Sequence, residues 1–553
     1  MKIKLFTLFA LILTMTAFGQ NVDLTGTVTE ASSGQPLPGV NVILKNTSKG
    51  ASTDFDGNFT LKDVPLNSVV VVSYIGFVKQ EITILNNDPL NIALVEDSES
   101  LSEVVVIGYG TQRKELVTGA YSSMDAESIV ETNPTRIEEA LKGSAAGVQV
   151  NANSSSPGAS LNIRIRGITT NGDNSPLVIV DGVNIGSDLS IIDPNDIEKM
   201  DIIKDASSAI YGVQGANGVI LITTKSGKKN RKTKFSYNSY YTIQEADNQI
   251  DMLNNYEYAA YVNETEAADG NALPYPNLQN LSTNTDWQEE LFSQAPMFNH
   301  NFSVNGGSES TTYGFSASYF AQDGIIESDK SNYQRWTIKN NLGVDISKKL
   351  KLNTFLLYTN IRNKSIAEGG RGSALYYALN ASPLTSVYDD STPSNISNGY
   401  AYIGQEQGNE IINPLALINN TYNEGRADRF TGKIELVYDV IEDLKATTRF
   451  NFNYSDYGGR EYYPLQYYGL GKVVNNVQLE TNNSGAFDVD RNDDGQRDLY
   501  GTVAENSQHS FDYTWENFIE YSRSFNDKHN FNFLVGTSIR SEVYKGFFAG
   551  FMG

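Results

Sequence analysis

Cysteine is absent from all 553 residues, which excludes disulfides, thiolate metal sites and cysteine nucleophiles. Histidine is nearly absent: His300, His509 and His529 each stand alone, so neither an imidazole metal cluster nor a Ser-His-Asp triad finds its parts. Basic residues are outnumbered 42 to 65 by acidic ones, and with a net charge of −23 the chain lacks the positive field that draws nucleic acid or anionic lipid. Beyond residue 19 no apolar run approaches the length of a membrane helix, about 20 residues. If this chain enters a membrane it does so as a β-barrel, because open strands in lipid leave backbone groups unpaired. No catalytic constellation stands out, and an enzyme is the least favoured class.

What is present begins with a secretory signal over residues 1–19. Lys2 and Lys4 form its basic end, Leu5 to Met15 its apolar run and Ala17-Phe-Gly19 a small-x-small cleavage site. The run is too short to anchor the chain, and with no Cys at the cleavage point the mature chain is not a lipoprotein. Val22 to Val95 reads as a small all-β domain. Its strands are Val22–Val28, Val40–Leu44, Asn58–Leu61, Val69–Tyr74 and Gln80–Ile84, and the turns at Gly34, Pro36, Pro38, Gly39, Asp56-Gly57 and Pro65 recur at the spacing of a sandwich.

A polar linker, Asp97 to Ser100, leads into the β-branched run Leu101-Ser-Glu-Val-Val-Val-Ile-Gly-Tyr-Gly110. Two readings stand side by side. Such a strand beside a linker can pair edge-on with another protein, or it is an ordinary strand of the domain before or after it. Lys114 to Gly227 then reads as a mixed α/β unit. Strands are expected at Gly147–Val150, Asn162–Ile168, Leu177–Val180, Met200–Lys204 and Gly218–Thr224, the last closing the sheet. Helices are expected at Arg136–Leu141 with Thr135 as cap, after Asp193-Pro194, and after Asp205 with Gly212 as terminator. Arg164 and Arg166 share one face of their strand at period two, so that face requires carboxylates or water. Carboxylates on a surrounding wall would suit, and static ion pairs are the plainer alternative. The Gly212-x-x-Gly215-x-x-Gly218 spacing lacks both the Rossmann fingerprint and the P-loop lysine, so turn geometry accounts for it.

After Lys234 the pattern becomes alternating and aromatic. Tyr313, Phe315, Ala317 and Tyr319 oppose Gly314, Ser316 and Ser318; Phe430, Ile434, Leu436 and Tyr438 oppose Thr431, Lys433, Glu435 and Asp439. Ala446 to Tyr454 and Phe531 to Ile539 alternate likewise. Apolar-out, polar-in strands of about ten residues with aromatic ends mark an outer-membrane barrel, and the 32 Tyr and 25 Phe suit its girdles. Nine strands are expected, near 234–244, 299–306, 311–322, 333–346, 348–360, 429–441, 444–455, 508–525 and 529–540. Long insertions at 362–428 and 461–508 alternate with short turns, and Ala374–Leu379 and Asn413–Ile418 look helical within the first. A plugged barrel takes about 22 strands, so nine make less than half of one and the sequence reads as incomplete. In the second insertion Asp490, Asn492, Asp494 and Asp498, with Gly495, match positions 1, 3, 5, 9 and 6 of a calcium loop. Gly501 stands where that loop has a bidentate Glu, so an acidic solvated loop is the competing reading, and calcium is the one cofactor considered.

Taken together, the segments from Leu101 to Gly227 closely resemble the plug of the SusC/RagA family of TonB-linked outer-membrane transporters. The preceding sandwich resembles the carboxypeptidase-regulatory-like domain that often stands before such plugs. The fold expected is therefore mainly β: an N-terminal β-sandwich, an α/β plug domain and a partial transmembrane antiparallel β-barrel. Its divisions are signal 1–19, sandwich 20–97, linker 98–113, plug 114–230 and barrel 231–553. The resemblance implies a TonB box at Glu103, Val104, Val105, Val106, Ile107 and Gly108. It also implies a plug motif at Arg164, Arg166, Gly167, Asp181, Gly182, Asp205, Tyr211, Gly212, Gly215, Asn217 and Gly218. It further implies active import of an oligosaccharide or peptide across the outer membrane, a SusD-like surface lipoprotein as lid, the TonB–ExbB–ExbD complex as the source of force, and a periplasmic N-terminal domain. Two alternatives differ in class. A signal-transducing receptor requires an extra N-terminal signalling domain, for which Asn21 alone leaves no room, and a surface adhesin needs neither the plug nor the Leu101 strand.

Overall fold

The computed structural model describes residues 21–45, 47, 49–74, 77–95, 104–107, 110–113, 121–131, 134–152, 154–204, 206–367, 369–370, 372–389, 399–403, 411–463, 466–467, 473–474, 502–525 and 529–552. The signal segment, Glu103, Gly108, Asp205 and the candidate calcium residues Asp490, Asn492, Asp494 and Asp498 lie outside the described residues. The chain divides into two compact units, Met1–Thr118 and Gly119–Gly553.

The first unit is a sandwich. β1 (Asn21–Glu30) lies between β4 (Asn58–Pro65) and β7 (Leu90–Leu94), while β3 (Gly50–Ser52), β2 (Asn41–Leu44), β5 (Val69–Ser73) and β6 (Gln80–Thr83) form the second sheet in that order. One side of each strand feeds a common core that includes Leu24, Val28, Val42, Phe59, Leu61, Val70, Val72 and Ile92. Sequence reading passed over β3 and β7, three and five residues long, since neither has room for a clear alternation. β8 (Val104–Ile107) joins neither sheet. It pairs antiparallel with β9 (Gly110–Arg113) in a separate ribbon, so it is not the last strand of the sandwich.

In the second unit the plug sheet runs β10 (Tyr121–Asp125), β15 (Ile197–Ile203), β16 (Val219–Thr224), β13 (Leu177–Val180), β14 (Val183–Gly186). Only β13 and β16 are parallel. β16 therefore sits in the middle of the sheet and does not close it. Its run Val-Ile-Leu-Ile is buried on both faces, as a central strand requires: Ile220 and Ile222 join the larger core, Val219 and Leu221 a smaller one capped by Tyr211. β11 (Val148–Ala152) and β12 (Leu161–Ile165) form a separate ribbon. Arg166 lies past the end of β12 at φ 60°, so Arg164 and Arg166 do not share a strand face as expected. Helices α1 (Ala126–Glu131) and α2 (Ile137–Leu141) cover the larger core. Thr135 does not cap α2 with its side chain as acceptor; its amide and hydroxyl instead donate to Glu139, at 2.7 Å each. The segment Ala206–Gly215 is 3₁₀ in two stretches separated by a kink at Gly212, whose φ of 65° ends the first stretch in the left-handed region as the sequence suggested.

Nine strands make one antiparallel sheet in chain order: β17 (Arg231–Gln244), β18 (Ala295–Gly307), β19 (Thr311–Asp323), β20 (Asn332–Asp345), β21 (Leu350–Lys364), β22 (Tyr422–Ile441), β23 (Leu444–Tyr463), β26 (Thr502–Phe525) and β27 (His529–Met552). Between β23 and β26, β24 (Gln466–Tyr467) and β25 (Val473–Val474) form a minimal ribbon. The sheet is an open wall, with β17 and β27 its two edges. Connections on one rim are long, 245–294, 365–421 and 464–501, apart from 324–331; on the other they are short, 308–310, 346–349 and 442–443. On the long-loop rim, α3 (Asn255–Ala268) is accompanied by α4 (Trp287–Leu291), α5 (Ala374–Asn380) and α6 (Pro414–Asn420). The last three share an apolar cluster, tied by Trp287 Nε1 donating to the Ser382 carbonyl at 2.9 Å.

The faces follow the alternation. Phe315, Phe450 and Phe533 are exposed on the outer side, while Ser316 and Asn451 are buried on the inner side against the plug. Asn532, on the inner side of β27, is exposed rather than buried. No helix among the described residues is long and apolar enough to cross a membrane.

Candidate functional site

The inner face of the wall carries a set of buried charges: Arg335, Lys339, Arg429, Glu435 and Glu516. In β20 the alternation that sends Trp336 and Ile338 outward turns Arg335 and Lys339 inward, where they are 2 % and 1 % exposed. β22 repeats the spacing with Arg429 and Lys433. One inward position, Thr337 or Thr431, lies between the members of each pair, which stand about 13 Å apart along the strand.

Opposite these four cations the plug presents four aspartates between residues 181 and 196. Asp181 and Gly182, at φ 46° and 86°, form the two-residue turn that joins β13 to β14, with Val180 paired to Val183. Left-handed backbone at both positions is what a tight type I′ hairpin asks for, and Asp-Gly supplies it. That turn exposes the Asp181 carbonyl, to which Lys433 Nζ donates at 2.6 Å. The Asp181 carboxylate accepts from the Thr224 amide at 3.0 Å and hydroxyl at 2.5 Å. Asp188 caps the short 3₁₀ turn Leu189–Ile191 through one oxygen, accepting from the Ser190 amide, and meets Arg429 Nη1 at 2.8 Å with the other. Asp193 caps Pro194–Asp196 in the same way through Oδ1, with Pro194 at the first position as the sequence suggested. Its Oδ2 lies 3.9 Å from Arg335, which also donates to the Ser190 carbonyl at 2.8 Å. Lys339 stands 3.8 Å from the Asp196 carboxylate and donates to the carbonyls of Asp196 at 3.3 Å and Lys225 at 3.1 Å.

Burial pushes the Asp196 carboxyl upward; Lys339 pulls it back and Asp193 adds to the rise. Burial acts the same way on Asp188, but Arg429 and the hydrogen bonds from Ser190 outweigh it and hold that carboxyl below its ordinary value.

Neutral contacts fill the gaps. Thr359 donates to the Ile191 carbonyl at 2.8 Å, Asn453 to the Asn184 carbonyl at 2.9 Å and Asn341 to Thr224 Oγ1 at 2.9 Å. Apolar contact is sparse by comparison: Phe355 and Leu357 are the wall residues in the plug's main core. The interface is thus largely polar and buried. Desolvation offsets much of what such pairs gain, yet removing one partner of a pair costs about 3–5 kcal/mol. A contact of this kind holds one register firmly and comes apart when water enters.

The expected polarity is reversed. Arg164 does not reach wall carboxylates; it donates to the Ile163 carbonyl at 3.1 Å and Ser175 Oγ at 3.5 Å. Arg166 is exposed, its amide donating to the Gly147 carbonyl. The cations belong to the wall and the carboxylates to the plug. Of the other plug residues singled out from sequence, Gly167, Gly212 and Gly218 take positive φ and Gly215 packs against the Ser208 carbonyl. Tyr211 packs on the smaller core, and Asn217 bridges Thr169 and the Asp173 carbonyl. These residues shape the plug rather than its contact with the wall. Val104 to Ile107 lie in the β8–β9 ribbon of the first unit. Among the described residues no group of His, Asp and Glu could hold a metal.

A mixed-sheet plug seated on the inner face of an antiparallel, aromatic-faced wall is the architecture of TonB-dependent receptors. The TonB-dependent receptor plug domain matches residues 113–219, and a CarboxypepD_reg-like domain matches residues 24–106. TonB-dependent receptor P3 of Formosa agariphila is 33 % identical over 555 residues, 98 % of this chain and 50 % of that protein. TonB-dependent receptor SusC of Bacteroides thetaiotaomicron is 33 % identical over 482 residues, 82 % of this chain and 46 % of that one. Among solved structures, the RagAB peptide importer in its open-open state superposes with a TM-score of 0.65 at 22 % identity, covering 82 % of this chain and 50 % of that one. The chain belongs to the SusC-like TonB-dependent receptors. It spans about half the length of the curated relatives it matches.

Proposed function

We propose that this chain forms the plug and part of the barrel of an outer-membrane importer that takes up a large nutrient, an oligosaccharide or a peptide, by TonB-dependent opening of the plug. The observation that supports this reading best is the plug–wall contact itself, largely buried and polar, held by three ion pairs and by hydrogen bonds to plug carbonyls rather than packed as one apolar core. Such a contact stays shut at rest and yields to force applied along the plug. The segment Glu103 to Gly108 serves as the TonB box. Val104 to Ile107 lie in a ribbon that belongs to neither sandwich sheet, so TonB can add a strand to a free edge or replace β9. The sandwich stands in the periplasm as spacer or partner contact. On the long-loop rim the helices α3 to α6 suit a SusD-like lipoprotein lid. Calcium at Asp490, Asn492, Asp494 and Asp498 remains a separate proposal from sequence spacing.

Deleting Glu103–Gly108 in the full-length protein is expected to abolish uptake while leaving substrate binding intact. Unchanged growth on the substrate would sink the TonB-box assignment. A purely adhesive surface protein would be unaffected in both respects.

A further inference from the structure

On the outer face of the wall, side chains fall into cross-strand rows. One row is aromatic: Tyr358, Phe430, Tyr454 and Phe511 stand in register across β21, β22, β23 and β26. Four residues nearer the long-loop rim, about 13 Å along the strands, Arg362 and Arg426 stand directly opposite one another. Like charges in that position repel. Asp428 lies 4.0 Å from Arg362 and also attracts Arg426, which makes no hydrogen bond and no ion pair within 4 Å among the described residues. The next position in the row is Gly458, and a Cβ there would fall 2.7 Å from Arg426 Nε, so the guanidinium lies over a glycine floor. Here the surface opens into a cavity of about 490 Å³, lined also by Arg460, Glu424 and Glu505.

Two facing guanidiniums beside a cavity form a fork suited to phosphate oxygens. Glu505 is paired with Arg460 and Glu424 stands 4.0 Å from Lys364; the lone pairs these carboxylates keep are acceptors, which a bare phosphate has no use for but sugar hydroxyls do. The aromatic row on the rim-distal side offers apolar surface at the depth where acyl chains begin. The molecule as a whole is acidic, so the basic pair is local. We propose that this cavity binds the phosphorylated sugar headgroup of an outer-leaflet glycolipid, with Arg362 and Arg426 on the phosphate and Arg460, Glu424 and Glu505 around the sugar. The proposal rests on reading the wall as membrane-spanning, with the long-loop rim outward.

The test uses the full-length receptor in detergent and native mass spectrometry with four probes: diphosphorylated lipid A, its dephosphorylated form, phosphatidylglycerol and inorganic phosphate. Wild type is expected to hold diphosphorylated lipid A at least tenfold more tightly than the dephosphorylated form or phosphatidylglycerol. Inorganic phosphate at the same concentration is expected not to compete. Arg362→Gln/Arg426→Gln is expected to lose at least tenfold, and Gly458→Ala, which displaces Arg426 without removing charge, to lose affinity in the same direction. Equal affinity of wild type and both variants overturns the site. Equal retention of phosphatidylglycerol overturns the glycolipid, and competition by inorganic phosphate overturns the lipid. Heat-modifiable migration of each protein reports barrel closure, and uptake reports the transport reading, so failure of either is distinguishable from failure of the headgroup site.

Discussion

Replacing Lys339 with Met tests the latch where burial is greatest. Lys339 and Asp196 are 1 % and 2 % exposed, with 3.8 Å between charges. Removing the cation leaves a carboxylate in a dry site, at a cost of about 3–5 kcal/mol, or roughly two to three and a half powers of ten in the population of the undocked plug. Part of that cost is escaped by protonation. The folded-state pKa of Asp196 is already raised, so its charge opposes folding at pH values above that pKa and does not do so below the ordinary carboxylate range. The penalty of Lys339→Met should therefore grow as pH rises and shrink in acid. Hydrogen exchange of the β15 and β16 amides in the full-length receptor reads the undocked population directly. Lys339→Met is expected to speed exchange by about a hundredfold or more at neutral pH, and Lys339→Met/Asp196→Asn to recover most of the loss, since no buried charge remains unpaired. Exchange changed less than threefold by Lys339→Met, or a double variant as impaired as the sum of its singles, would refute the reasoning.

The Asp188–Arg429 pair has the opposite pH sign. Asp188 is held below its ordinary value, so its contribution is present above the ordinary carboxylate range and is lost as pH falls through the lowered pKa. Acid should loosen residues 186–190 in wild type but not further in Arg429→Gln, as read by exchange protection of the Ser190 amide. On the outer face, Phe450→Lys places a charge against lipid and should cost up to about 2–4 kcal/mol, depending on depth, measured as loss of heat-modifiable, membrane-inserted receptor. Unchanged insertion would mean that Phe450 does not face the bilayer.

Period-two alternation made the wall legible strand by strand, because lipid-facing and plug-facing positions differ in chemistry at every residue. The two helical segments of the 365–421 connection were legible for a local reason: Asn413 caps α6 ahead of Pro414, and Ser373 caps α5. The latch was not legible. Arg335 and Lys339, like Arg429 and Lys433, stand four apart within strands, a spacing that marks two cations on a polar face. Nothing local says that Asp188, Asp193 and Asp196, more than a hundred residues earlier, meet them. The Arg164–Arg166 pairing failed because the chain leaves the strand at Arg166, whose positive φ is uncommon for a residue with a side chain. β7, five residues long, is too short to show its alternation locally, and its parallel partnership with β1 is made across the rest of the sandwich.

The central claim is that the plug must part from the wall for transport to occur. These 553 residues hold no cysteine, so in a full-length receptor cleared of any other cysteine Ser190→Cys/Thr359→Cys places a single thiol pair on either side of the latch, next to the Thr359–Ile191 contact. Joined with a short reducible bis-thiol linker, the full-length receptor should bind substrate normally and fail to import it, and reduction should restore import. Undiminished uptake by receptor shown to be fully cross-linked would contradict the account.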